Sequence, residues 1–416
     1  MQYGLIGEHL PHSFSKVIHE EIGLYEYELC ELAPREIDEF MTKREFKGIN
    51  VTIPYKQTVI PYLDEISDRA KSIGAVNTIV NRDGKLYGDN TDLGGMIALI
   101  KKTGISLDDK KVLILGTGGT SKTAFAAAKS LEAKRIYKVS RSKTDGALSY
   151  DEMYENHKDA DVIINTTPSG MYPNFEGCPA ELSGFKELEG VVDVIYNPLS
   201  TRLVQQAREL DVKAGGGLYM LVSQAVLAAE LFTDTKLPKD MTDRIYNKLL
   251  REKMNIVLVG MPGSGKTTIG RKLSEKLGIE LVDSDDVIIR ERRVLIPKIF
   301  AERGEKGFRE IESDVIKRIS RLNGKIIATG GGAVLNEENV RNLKGNGIVI
   351  FIDRDIKKIR TTSDRPLSNS EDKLKALYEK RYPIYKRAAD IHLKVNGTSS
   401  DAACDIIKKL DKLIEG

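Results

Sequence analysis

Short apolar runs alternate with longer stretches of helical period along most of this 416-residue chain. That is the pattern of strands joined by crossover helices, and it predicts an α/β protein with parallel sheets. The alternation predicts strands over Gln2–Ile6, Tyr25–Leu32 and Gly48–Ile53, with helices over Ser15–Ile22 and Pro34–Lys43 between them. Two short helices, a hairpin over Asn77–Tyr87 and a connecting helix over 93–103 follow. Strand and helix then alternate again from Lys111 to about Val194. The stretch Leu218–Phe232 is apolar on nearly every face, so it predicts a buried helix. A polar helix, Lys239–Glu252, leads straight into the apolar run Asn255–Val259 with no Gly/Ser or Pro spacer, which leaves only a short linker at 249–253. Apolar runs end in glycine-rich turns at three places: Lys111–Leu115 before GTGGTS, Asn255–Val259 before GMPGSGKTT, and Lys325–Ala328 before TGGGA.

The length exceeds one ordinary core, since domains hold roughly 100–200 residues each. A hydrophobic share of 41% and a charged share of 30% belong to a globular chain. A net charge of +3 is too small to imply nucleic acid or a membrane surface as partner. Cys30, Cys178 and Cys404 are widely spaced and form no CxxC pair, which argues for a reducing, cytoplasmic setting and against a zinc site. The N-terminus lacks the pattern of a signal peptide, and no window approaches the ~20 apolar residues of a membrane span. Homo-oligomerisation is compatible with this composition and has no signature in it.

GMPGSGKT matches G-x-x-x-x-G-K-[ST] in full, with a buried strand before it and a helix, Thr268–Leu277, after it. Glycines there let backbone amides converge on phosphate oxygens. Gly263, Ser264, Gly265, Lys266, Thr267 and Thr268 are the expected ATP contacts: Lys266 brings charge to the β- and γ-phosphates, and the Thr267 hydroxyl can ligate Mg²⁺. The next strand ends in two carboxylates. Asp283 is placed to hold a Mg²⁺-bound water and Asp285 to accept a hydrogen bond from an acceptor hydroxyl; either one can instead cap the following helix. Phe308-Arg309, the TGGGA turn, an Arg365-Pro366-Leu367 segment within a polar lid candidate (Thr361–Glu371) and Arg381 complete this half. Taken singly, each arginine also reads as a surface charge.

In this order, the P-loop, D-x-D, F-R, triple glycine, R-P-L and R-x-P-x-Y resemble the shikimate kinase family over residues 254–416. The resemblance implies a P-loop fold of the nucleoside-monophosphate-kinase type. It implies that Asp285, Arg309, the Gly331 amide and Arg381 hold shikimate, arginine forks suiting its carboxylate, and that Arg365 reaches over the ATP phosphates. The segment after RPL departs from the family by reading Ser-Asn where a second leucine is usual. A P-loop kinase for another small polyol acid or a nucleoside monophosphate is the competing reading, and the Arg309, Gly331 and Arg381 set favours a compact carboxylate over a base.

In the first half, Gly116-Thr117-Gly118-Gly119-Thr120-Ser121 follows a strand and opens a helix, with Ser121 where a third Gly or Ala is usual. The next strand runs into Ser140-Arg141-Ser142-Lys143, hydroxyl and cationic side chains that suit a 2′-phosphate, so NADP is expected rather than NAD. Ser13 and Ser15 either bind a carboxylate or cap a helix. The S-x-S pair, NVTIPYK, GAVNT, GDNTD, the glycine turn, Asn165–Met171 and Met220–Gln224 together resemble the shikimate dehydrogenase family over about residues 1–248.

That resemblance implies a two-lobed enzyme: residues 1–92 with about 218–248 bind substrate, and 93–217 form a Rossmann-type NADP lobe. It implies Lys56 and Asp92 as the catalytic pair, with Ser13, Ser15, Thr52, Asn77, Tyr196 and Gln224 around the substrate. Asp68, Gly116–Thr120, Ser140–Asp145 (Thr144 among them), Val194 and Gly217 would lie along the cofactor. Lys16 after S-x-S and Ser140 before Arg141 depart from the usual proline and asparagine. A quinate/shikimate dehydrogenase using NAD is the rival for this half, and a non-catalytic module is the rival for either half.

Together the two resemblances imply consecutive steps, reduction of 3-dehydroshikimate to shikimate and phosphorylation of shikimate. Each half predicts the other's substrate. No channelling advantage is expected, because fusion alone does not make two active-site mouths face each other.

Overall fold

The computed structural model describes residues 1–10, 14–142, 146–359 and 371–415. The chain divides into two compact units, Met1–Tyr246 and Asn247–Gly416. The stretch 249–253 lies inside the helix Met241–Lys253.

Two sheets make up the first unit. Strands β1 (Tyr3–Gly7), β2 (Glu28–Glu31), β3 (Gly48–Val51), β4 (Glu65–Ile66), β5 (Thr78–Arg82) and β6 (Lys85–Asp89) form a mixed sheet of order β2-β1-β3-β5-β6-β4. Pairing is parallel from β2 through β1 to β3 and antiparallel from β3 through β5 to β6. The β5–β6 hairpin turns at Asp83 and Gly84, both at positive φ. The second sheet holds β7 (Lys111–Leu115), β8 (Arg135–Val139), β9 (Val162–Asn165), β10 (Gly190–Asp193) and β11 (Lys213–Gly215), all parallel, in the order β8-β7-β9-β10-β11. Counted from β7 this is the doubly wound order 2-1-3-4-5, whose switch point falls between β7 and β9. All five residues of β7 are buried, as expected for a strand covered on both faces.

The chain passes between these sheets twice. It leaves the first through helix Asp92–Lys102 and returns after β11 through helix Leu218–Thr233. The returning helix packs on the outgoing one, on helix Ser15–Ile22, and on β3 and β5. Its buried face includes Met220, Val222, Ala225, Val226, Ala229 and Phe232, which is why an almost wholly apolar helix is stable there. Gly95 lets the two helices meet: a side chain at this position would lie 2.7 Å from the Met220 carbonyl oxygen.

The second unit has one parallel sheet of β12 (Asn255–Val259), β13 (Leu281–Asp283), β14 (Ile326–Ala328), β15 (Gly347–Arg354) and β16 (Ile391–Val395), in the order β13-β14-β12-β15-β16. Counted from β12 the order is 2-3-1-4-5. The core joins Val257, Val259, Phe308, Val315, Ile327, Phe351 and Tyr385. Helix Lys266–Leu277 starts directly after the glycine loop that follows β12. Among the described residues, no helix is long and apolar enough to cross a membrane.

Candidate functional site

A cavity of about 520 Å³ opens in the first unit, lined by residues of the first sheet and by residues of the helix and loops that follow strands of the second. Its walls include Ser15, Thr52, Lys56, Asn77, Asp92, Tyr196 and Gln224, seven side chains that the family resemblance sets around a substrate. Ser13 lies outside the described residues. Lys56, in the turn after β3, reaches Asp92 at the start of helix Asp92–Lys102, with Nζ 2.6 Å from Oδ2. The pair is partly shielded, the side chains being 29% and 17% exposed, so the cavity reaches both. Asn77 Nδ2 donates to Asp92 Oδ1 at 2.9 Å and so fixes the carboxylate's other oxygen. The Thr91 amide donates to Asn77 Oδ1 at 2.7 Å, which orients the amide group. Gln224 arrives from the returning helix, its Oε1 3.5 Å from Asn77 Nδ2. The close approach at Gly95 brings it there.

A second layer holds this wall. Asn50 Oδ1 accepts from the Tyr27 hydroxyl at 2.7 Å, and Tyr27 stacks on His19 with ring centroids 3.9 Å apart. Burial lowers the His19 pKa to about 3, so this ring is neutral. On the opposite wall, Asp193 ends β10 fully buried and accepts from Thr201 Oγ1 at 2.7 Å, Asn165 Nδ2 at 3.0 Å and the Ile195 amide at 3.1 Å. Burial raises its pKa to about 6, against the effect of these three donors. The network anchors the turn that presents Val194 and Tyr196 to the cavity.

The glycine turn after β7 sits at the rim. Thr120 lines the cavity together with Val194 and Gly217. Thr117, Gly118 and Gly119 are exposed, and nothing lies within 4 Å of where side chains on Gly118 and Gly119 would start. Open backbone at the start of helix Gly119–Ser130 fits an anionic ligand such as a pyrophosphate. Ser121, in the place of a third glycine, is buried and its hydroxyl donates to the Gly118 carbonyl at 2.6 Å, which braces the turn. Ser140 is buried at the end of β8, whereas Arg141 and Ser142 are exposed beside it. Lys143, Thr144 and Asp145 lie outside the described residues. Asp68 is exposed on a short helix, Asp68–Ile73, that packs against helix Gly119–Ser130. Gly116 lies against Thr166 and Thr167 behind the turn.

The second unit has a cavity of about 610 Å³. Gly263, Gly265, Lys266, Thr267 and Thr268 form one side of it. Ser264, within the loop, is fully buried, and its amide donates to the Met261 carbonyl at 3.1 Å. Lys266 Nζ donates to the carbonyls of Gly260 at 2.9 Å and Met261 at 3.0 Å. Thr267 Oγ1 donates to Asp283 Oδ2 at 2.7 Å, while Asp283 Oδ1 accepts the Asp285 amide at 3.0 Å. Asp283 therefore caps helix Ser284–Arg292 and faces the loop at once. A hydroxyl oxygen and a carboxylate oxygen side by side suit a hard divalent cation that keeps most of its waters. Arg365 lies outside the described residues.

Asp285, Arg309, Gly331 and Arg381 line the same cavity. Burial, then the charges of Asp283 and Glu312, raise the Asp285 pKa to about 6. Arg309 Nη1 donates to Glu312 Oε2 at 2.5 Å, and Arg381 Nη1 donates to the Gly331 carbonyl at 3.0 Å. Tyr385 bonds the same carbonyl. Gly330 separates two carboxylates: a side chain there would lie 2.5 Å from Glu312 Oε1 and 2.9 Å from Asp285 Oδ1. Both of those oxygens, and Arg309 Nε, are buried without hydrogen-bond partners among the described residues. Orphaned polar atoms around one cavity are the mark of groups meant for a ligand.

Sequence reasoning gave no individual role to several residues here. His9, Asn50, Met220 and Leu221 line the first cavity, and Glu312, Thr329 and Phe300 the second. Asn50 stood within NVTIPYK, and Glu312 stood three residues after Arg309 on one helix face. Such a spacing would have flagged the ion pair.

The family model for shikimate kinase matches residues 262–411, and that for the shikimate dehydrogenase substrate binding domain matches residues 5–79. The shikimate dehydrogenase (NADP(+)) of Clostridium beijerinckii is 38% identical over 260 residues, covering 59% of this chain and 96% of that one. A chorismate mutase/shikimate 5-dehydrogenase fusion protein from Clostridium acetobutylicum matches with TM-score 0.57 and 38% identity, over 59% of this chain and 96% of its own. The shikimate 5-dehydrogenase of Thermus thermophilus, solved in complex with NADP(H) and shikimate, matches with TM-score 0.54 and 27% identity, over 60% of this chain and 99% of its own. The chain therefore belongs to the shikimate dehydrogenase family through its first unit, and its second unit is a shikimate kinase domain.

Proposed function

We propose that the first unit reduces 3-dehydroshikimate to shikimate with NADPH and that the second phosphorylates shikimate to shikimate 3-phosphate with Mg·ATP. These would be consecutive steps toward chorismate and the aromatic amino acids, in the cytoplasm. The observation that carries the reading is the Lys56–Asp92 pair, 2.6 Å apart in a cavity walled by the other expected substrate contacts. Residues 1–92 with 218–248 would hold the substrate and 93–217 the cofactor.

NADPH would lie on the turn at Gly116–Thr120, with Asp68, Ser140–Asp145, Val194 and Gly217 along it, and would supply a hydride to the ring carbonyl carbon. Lys56 gives its proton to the carbonyl oxygen as that atom becomes a hydroxyl. Asp92 holds the ammonium toward that oxygen, and Asn77 keeps the carboxylate from turning away. Ser13, Ser15 and Thr52 donate to the substrate carboxylate and hydroxyls, with Tyr196 and Gln224 closing the far side.

In the second unit, Mg²⁺ would be held by Thr267 and, through water, by Asp283, and would neutralise phosphate charge. The backbone amides of the glycine loop over Gly263–Thr268 and the Lys266 ammonium bind the ATP phosphates, and Arg365 would add a further charge to them. Asp285 accepts the hydrogen bond of the attacking hydroxyl. Arg309 and Arg381, with the Gly331 amide, take the substrate carboxylate.

A coupled assay tests both halves. Given 3-dehydroshikimate, NADPH and Mg·ATP, the chain should consume NADPH and release ADP in equal amounts. A preference for NAD with quinate would overturn the reading of the first unit. NADPH loss with no ADP release would overturn that of the second.

A further inference from the structure

The sheet order of the second unit fixes the direction in which a bound nucleotide must run. The acceptor residues Asp285 and Gly331 follow β13 and β14, on one side of β12 and its glycine loop. The γ-phosphate has to face them, so the nucleoside end lies on the other side, toward β15. Arg354 is the last residue of β15. Register places Val259 opposite Phe351, so β15 runs on beside the loop. The Arg354 Nη2 atom is 3.6 Å from the point where a side chain on Gly265 would start.

Among the described residues, this guanidinium is left short of internal partners. Arg354 Nε is buried and unbonded. Both neighbouring carboxylates are engaged elsewhere: Asp353 with the Tyr378 hydroxyl at 3.2 Å and His392 Nε2 at 2.8 Å, and Asp355 with the Lys357 amide at 3.0 Å. A half-buried cation whose adjacent acids are turned away, set against a phosphate-binding loop, is kept for an anion outside the fold.

We propose that Arg354 holds the α-phosphate of the nucleotide, as a second cation opposite Lys266. This rests on the reading of the loop as the ATP site and adds a residue that no motif marks. Its guanidinium would position the nucleotide while Lys266 serves the transferred group. The loss should therefore appear in nucleotide binding rather than in turnover.

The test is steady-state kinetics and binding of a fluorescent ADP on the full chain. Arg354→Gln should raise KM for ATP and Kd for ADP on the order of 10- to 100-fold, with kcat and KM for shikimate within about twofold. Arg354→Lys, which keeps the charge, should recover a large part of the loss. Reduction by the first unit should be unchanged. An unaltered KM for ATP in R354Q overturns the proposal. R354K binding no better than R354Q also overturns it, because a stacking contact to the base would need the planar group. Should R354Q not fold, R354K alone decides, since its KM for ATP must rise while that for shikimate stays. Lys266→Ala tests the underlying site separately: if it still phosphorylates, the loop reading itself falls, whatever Arg354 does.

Discussion

Lys56 and Asp92, 36 residues apart, meet at 2.6 Å because a turn after β3 and the first residue of the outgoing helix face one cavity. An ammonium held by a carboxylate is a proton donor with a fixed direction. Lys56→Ala should lower the turnover of ketone reduction by about 10²- to 10⁴-fold, the usual worth of a positioned general acid. Phosphorylation by the same preparation should stay within about twofold. Equal loss of both activities would refute two independent sites.

The phosphorylation step should carry a pH dependence of its own. Burial and the neighbouring acids raise Asp285 to about 6, so its carboxyl turns neutral as pH falls through that value. A neutral acid accepts the substrate hydroxyl less well, and kinase turnover should fall below about pH 6. Asp285→Asn should flatten that limb and cost about 10²-fold or more at pH 8. A pH–rate profile of D285N parallel to that of the parent chain would count against this role.

Most of the scaffold could be read before any coordinates, because buried parallel strands are written as unbroken apolar runs. The strand at Asn255–Val259 appears with the bounds that its pattern predicted. Ends near polar residues were less legible. The strand expected over Tyr25–Leu32 covers only Glu28–Glu31, and the helix expected from Pro34 begins at Ile37. The sites divide in the same way. Lys56, Asp92, Asp285 and Arg309 stand in local motifs. Asp193 acts through donors at Asn165 and Thr201, neighbours made only by folding, and Arg354 through its distance from Gly265.

Asp193 should govern stability. Its raised pKa means the fold favours the neutral acid, so its contribution is complete below the unfolded value of about 3.9 and is lost as pH rises through about 6. Asp193→Asn keeps an acceptor for Asn165 and the Ile195 amide, and the Thr201 hydroxyl can rotate to accept. It should stabilise the first unit at pH 8 by on the order of 1–3 kcal/mol, with the gain vanishing near pH 4. Asp193→Ala strands three donors and should destabilise by about 2–4 kcal/mol at either pH. Urea unfolding at the two pH values measures both.

Cofactor choice should rest on Arg141, exposed beside the end of β8. Arg141→Ala should lower kcat/KM for NADPH by about 10- to 100-fold and leave that for NADH nearly unchanged. Equal losses with both cofactors would show that the residue reads no 2′-phosphate.

Fusion of the two units should not sequester the intermediate. In an isotope-dilution assay starting from labelled 3-dehydroshikimate, added unlabelled shikimate should dilute the label in the phosphorylated product in proportion to its concentration. Label retained against a large excess would overturn this.

The two crossings between the sheets of the first unit lie at Asp92 and at Gly217–Leu218, and the cavity touches both. If one sheet swings against the other, the axle runs past the reacting groups, and displacement grows with distance from it. Groups far from the crossings would then travel while Asp92, at one of them, hardly moves. Such a lever would let the mouth admit and release a long dinucleotide without disturbing the alignment that the proposed proton transfer from Lys56 would need.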